Sequence, residues 1–249
     1  MSQNSLIRRS AREALRGKWC PSLLVNFGLM IIPVIANYIT SQPLFAESNF
    51  KSIFLWFISY TIVPTLSLGV NNYYLQLHRK QEVGFSILFS RFHIMGKGFG
   101  ISMFFSIIVI GWLALIGIPG LLWVSIMGEL STFVASILFF AFICSAAVFS
   151  LRYAMAHYLL ADIPEMGVRE AIRESKRMMH GRKVQLFLLC LSYIGWSLLV
   201  VIAMVLTSFL AAWLATIVGF AGILVLSVYI NASIAAFYLD PMQNALAAD

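Results

Sequence analysis

The side chains best able to do chemistry are few, and their spacing scatters them. Arg152, His157 and Asp162 form a ladder at one end of a long apolar run. Five-residue steps do not return to one helical face, so a shared metal site is not expected there. A membrane-embedded enzyme would still have to use these three as its mouth. Asp162 stands just before Ile163, Pro164 and Glu165, where it could cap a following helix. Cys20, Cys144 and Cys190 are far apart, which argues against a CxxC pair or a disulfide framework. They read as small packing residues. The sequence carries no HExxH, no GxSxG, no P-loop and no GxGxxG after a strand. The first expectation is therefore a non-enzymatic protein with no catalytic residue, no metal and no cofactor.

Uncharged polar residues are more plentiful. Ser59, Thr61, Thr65, Ser67, Asn71 and Asn72 form a dense set, and Ser192 and Asn231 lie in later apolar runs. Such groups hydrogen-bond between membrane helices. They can also line a cavity for a polar headgroup or a peptide, and these eight are the candidate cavity wall.

The elements that must position them follow from composition. Of 249 residues, 61% are hydrophobic and 11% charged, against roughly a quarter charged in soluble domains. Mean hydropathy is +0.89. These values exclude a soluble globular enzyme, a disordered chain and a secreted disulfide scaffold. A bilayer core needs about 20 apolar residues per helix. Such runs lie at 21–38, 52–70 (continuing to 78), 99–124 and 131–155 (extending toward 162). The block 184–239 is long enough for two helices with a turn near 207–213. The expected fold is all-α, with six transmembrane helices. Pro64 and Pro119 predict kinks or interruptions, and Gly195, Gly219 and Gly222 permit close helix approach.

Charge placement orients these spans. Sixteen of the 17 Lys and Arg residues lie before the first span, in the even connections or, for Arg152, at the end of span four that leads into one, and only Lys51 lies in an odd connection. The positive-inside rule then predicts both termini in the cytoplasm. It also explains the net charge of +7 without nucleic acid, which is not expected as a partner.

Three segments of shared layout precede pairs of spans, the first and third basic and the middle one more apolar, with Phe85, Ile87, Leu88, Phe89 and Phe92. Residues 5–18, 83–95 and 166–180 read as interfacial amphipathic helices, feeding hairpins at 21–80, 97–161 and 183–240 within one membrane domain. Each segment closes near a glycine: Gly17, Gly96 or Gly181. Each hairpin closes on a tyrosine–leucine step, at Tyr74, Tyr158 and Tyr238. The layout suggests three repeated units; any basic interfacial helix feeding a span would look similar. Arg8, Arg12 and Arg16, with Arg169, Arg173 and Arg177, are candidates for docking anionic lipid headgroups or a membrane protein partner. Oligomeric state is not legible.

Several phrases carry a family resemblance: SAREALRGKW at 10–19, LFSRF at 88–92, IPG at 118–120, RYAMAHYLLAD at 152–162, EAIRESKRMMHG at 170–181, LSYIGW at 191–196 and AFY at 236–238. Together they resemble a bacterial family of multi-pass membrane proteins labelled a domain of unknown function (nine-seven-five). The resemblance implies a six-helix protein of the bacterial inner membrane and carries no activity or site residue. One departure is the interval of about thirty residues between the Ile-Pro-Gly step and the Tyr-x-Met stretch. A looser similarity is to the membrane domain attached to some glycerophosphodiester phosphodiesterases; the soluble catalytic domain is absent, so that activity does not carry over.

Three functional classes stay open. The first is a transport, lipid-handling or peptide-export/immunity component, with a groove lined by 59–72 and the last two spans. The second is a structural or regulatory subunit docking through 167–180. The third is the membrane-embedded enzyme at Arg152, His157 and Asp162.

Overall fold

The computed structural model describes residues 3–41, 49–82, 84–119 and 131–246. All described secondary structure is helical. The order is α1 (Gln3–Leu15), α2 (Trp19–Thr40), α3 (Asn49–Phe57), α4 (Val63–His78), α5 (Met95–Trp112), α6 (Ser131–Tyr153), α7 (Ala156–Asp162), α8 (Val168–Met178), α9 (Lys183–Ser208) and α10 (Ala212–Leu246). Among the described residues six segments are long and apolar enough to cross a membrane: Trp19–Thr40, Ile53–His78, Phe85–Leu115, Phe139–Asp162, Lys183–Ser208 and Ala212–Asp240. At 1.5 Å per residue, 22 residues rise about 33 Å, enough for a bilayer core. The turn expected near 207–213 falls at 209–211.

Pro64 and Pro119 each follow a π-helical turn. Pro64 has no N–H to donate, and a π-turn at Ile58–Ile62 absorbs the defect, so α3 and α4 run on as one span. A second π-turn, Leu113–Gly117, precedes Pro119 in the same way. The far end of span three at 124, Gly120 and Glu129 lie outside the described residues.

Two of the three glycine stops behave as the sequence suggests. Gly17 ends α1 with φ +76° and Gly181 follows α8 with φ +79°, the left-handed conformation that releases a helix end. Gly96 does not: it lies in the first turn of α5. The expected interfacial helix at 83–95 is likewise corrected. The chain there makes two short 3₁₀ turns, Phe85–Phe89 and Phe92–Ile94. The reason is a notch. Leu88 is 1% exposed, and its backbone lies where a Cβ on Gly69 would be, at 2.1 Å from the Leu88 oxygen. Phe85 and the Leu88 side chain also lie against Gly28 of α2. Leu88 and Ile94 therefore enter the bundle, while Phe85 and Phe89 stay exposed at its surface. Asn72, one turn on from Gly69 in α4, holds the same stretch of chain, donating to Ser90 Oγ at 3.2 Å and accepting from Arg91 at 3.2 Å.

Packing is tightest toward one end. Buried side chains gather at 65–77 in α4, 155–161 around α7 and 228–239 in α10, whereas α9 exposes Leu198, Leu199, Val201, Ile202 and Val205. All three tyrosines of the tyrosine–leucine steps lie in this core. The Tyr158 and Tyr238 rings stack with centroids 5.9 Å apart. The tight end is also the charged end. Arg79 pairs with Asp162 at 2.8 Å, Arg182 with Asp240 at 2.9 Å, and the Lys97 ammonium donates to the carbonyls of Pro164, Glu165 and Met166.

Candidate functional site

A buried polar network runs through α2, α4 and α10, with Asn26 at its centre. Its amide donates to the Tyr74 hydroxyl and to the Ser22 carbonyl at 3.0 Å. Its Oδ1 accepts from Asn231 at 2.9 Å and from Ser227 at 3.5 Å. Ser22 and Tyr73 share a hydrogen bond of 3.0 Å. His78 Nε2 lies 2.8 Å from the Ala232 carbonyl. These groups satisfy one another, and the network ties helices together as polar side chains do in apolar surroundings.

The expected cavity wall is dispersed by this packing. Thr65 bonds the Thr61 carbonyl at 2.6 Å and packs on Gly98 of α5. Ser67 bonds the Pro64 carbonyl at 2.7 Å. Asn71 and Asn72 are buried, Ser59 is exposed and Asn231 belongs to the Asn26 network. For Thr65, Ser67, Asn72 and Asn231, helical backbone carbonyls and neighbouring side chains absorb the polar groups before they can face a common space.

A wide groove lies elsewhere, between α1, α9 and α10. Its volume is about 860 Å³. Of the eight candidates only Ser192 lines it. Arg8, Arg12 and Ser5 of α1 stand on its wall, with Trp19 where α2 begins. Trp196 and Val200 of α9 face Gly222, Val225 and Leu226 of α10 along its length. α1 is positioned by its apolar face: Ile7, Ala11 and Leu15 are buried, which turns the arginines outward. Asn4 donates to the Gln185 carbonyl at 3.2 Å, fixing α1 against α9. Gly222 lets α9 and α10 approach, since a Cβ there would meet Val200 at 2.6 Å, and Gly219 does the same at Met204. No side chain lies within 4 Å at Gly195. Arg16 is exposed and does not line the groove.

Sequence reading overlooked most of these lining residues. Ser192, Trp196 and Val200 recur at four-residue steps, and Val225, Leu226 and Tyr229 share a helical face. In helices apolar all round, that periodicity does not stand out.

The ladder of Arg152, His157 and Asp162 separates into three environments. Asp162 accepts from Arg79 and, at 3.2 Å, from the Tyr238 hydroxyl; its hydrogen bond holds the Arg79 guanidinium above its ordinary range. Asp162 is not a helix cap: the residue before α8 is Gly167, with no side-chain cap. His157 stacks on Phe105 with centroids 5.5 Å apart. Arg152 lines a second hollow, of about 360 Å³, together with Arg173, Lys176, Arg177, His180 and Lys183. Arg182, beside it, lies over the Phe237 ring at 4.3 Å, and burial lowers its pKa while Asp240 opposes the shift.

The profile of one protein family, described as Protein of unknown function (DUF975), matches residues 1–245. The chain belongs to this family. Membership in DUF975 agrees with the resemblance carried by the RYAMAHYLLAD and EAIRESKRMMHG stretches and brings no assigned activity. No curated protein and no solved structure matches this DUF975 chain.

Proposed function

We propose that the chain is a non-enzymatic lipid-handling protein of the bacterial inner membrane, with three membrane hairpins and both termini in the cytoplasm. The observation that carries this reading is the groove between α1, α9 and α10, which has the polarity of an amphiphile. Arg8 and Arg12 offer cations to an anionic headgroup, and the trough of Trp196, Val200, Val225 and Leu226 offers apolar wall to an acyl chain. Each cation near a membrane surface adds about 1 kcal/mol of attraction for anionic lipid, so the pair favours such a lipid by roughly 30-fold over a zwitterionic one. Orientation rests on the basic residues before span one and in the even connections.

The test is lipid analysis of the purified protein. Wild type should retain anionic phospholipid through extensive detergent exchange. Arg8→Glu with Arg12→Glu should lose headgroup selectivity, and Val225→Trp, which fills the trough, should lose the lipid altogether. Equal lipid content in all three proteins would overturn the reading.

A regulatory subunit docking through α8 is less well supported. The apolar face of α8 is already used inside the chain, where Ala171, Ser175 and Met179 are buried. A partner would meet only its charged face, with Arg169, Arg173 and Arg177 exposed.

A further inference from the structure

The second hollow is lined by six basic side chains from three elements: Arg152 at the end of α6, Arg173, Lys176, Arg177 and His180 on and just after α8, and Lys183 at the start of α9. No carboxylate among the described residues lines it. Among the described residues the one acidic partner of any of the six is Glu174, which pairs with Arg177 at 2.7 Å. The Arg152 guanidinium makes, among the described residues, one distant ring contact, at 5.9 Å from the Tyr153 centroid. Membrane orientation explains basic residues on this side of the bundle, but it does not require them to converge on one concave space. Convergence of like charge is unfavourable unless something offsets it. The carboxyl ends of α6 and α8 each supply about half a negative charge; even with the Glu174 carboxylate that is too little against five permanent cations. The first turn of the 26-residue α9 adds N–H groups without intrahelical acceptors.

We propose that this hollow binds a group carrying two or more phosphate charges. Three guanidiniums present planar forks suited to phosphate oxygens, and the two ammoniums supply point charges. The concave shape, of about 360 Å³, lets donors from α6, α8 and α9 reach one anion together. The phosphates come either from a membrane lipid headgroup or from a soluble polyphosphate. The site is separate from the groove at Arg8 and Arg12, and neither depends on the other.

The experiment uses the full chain in nanodiscs. One arm titrates inorganic pyrophosphate into zwitterionic nanodiscs by calorimetry. The other compares retention of cardiolipin with that of phosphatidylcholine by native mass spectrometry. Binding in the first arm identifies a soluble source, in the second a lipid source, and in both a site that takes the shared group. In whichever arm binds, Arg173→Ala with Lys176→Ala should weaken binding at least about tenfold. Lys183→Gln should weaken it from a different helix. Arg169→Ala, on α8 but outside the hollow, should leave it unchanged, as should Arg8→Glu with Arg12→Glu for pyrophosphate. All four variants alter residues outside the core, and unaltered melting confirms their folding. No binding in either arm, or an equal loss in Arg169→Ala, overturns the proposal.

Discussion

Asn26 shows how single residues acquire roles that the sequence does not display. It sits in an apolar run with no distinguishing neighbour, yet its side chain bridges Tyr74 of α4 and Asn231 of α10. Asn26→Leu removes both partners' satisfaction while keeping volume. The expected cost is about 1–3 kcal/mol, the penalty for leaving buried polar groups unpaired, read as a lowered melting temperature in detergent. Adding Tyr74→Phe should recover part of the loss, because the stranded hydroxyl is gone. A melt indistinguishable from wild type for Asn26→Leu would show that the network does not hold these helices. The candidate residues of α4 teach the same lesson. Their types were legible, but hydrogen bonds made with the helix's own carbonyls cannot be told from cavity lining before the neighbours are placed. The ladder at Arg152, His157 and Asp162 was separable from spacing alone, because helical periodicity is a local property.

At the scale of elements, glycine placement decides where segments meet. Gly69→Ala would place a Cβ against the Leu88 backbone, which cannot swing aside as a side-chain tip could. The segment 85–89 would be pushed from its notch, at an expected cost of about 2 kcal/mol or more. Gly111→Ala, in α5 with nothing within 4 Å, should instead be neutral or stabilise by up to about 1 kcal/mol. Thermal melts of the two variants side by side test the notch; equal effects would remove it. Long helices, the turn at 209–211 and the glycine stops at 17 and 181 followed from apolar length and from glycine's freedom at positive φ. The middle segment did not, because its fate depends on Gly28 and Gly69, which lie on other elements.

At the scale of the whole molecule, the proposed orientation is open to direct labelling. With both termini inside, single cysteines at Ser41→Cys and Leu210→Cys in a cysteine-free background should label from outside intact cells. Lys80→Cys and Arg169→Cys should label only after permeabilisation; the reverse pattern would overturn the orientation. The sequence by itself determined that this is an all-helical chain with six segments able to cross a membrane, because length, apolarity and the need to satisfy backbone groups in lipid leave few alternatives. It also determined that most basic residues fall into a few segments, since that is a one-dimensional count. Only the tertiary structure decided which side chains share a space. The groove joins residues near 8, 196 and 225, and the basic hollow joins 152 with 173 and 183. Those neighbourhoods arise from helix packing, and in spans apolar on every face no sequence period records which face a helix turns toward its neighbour.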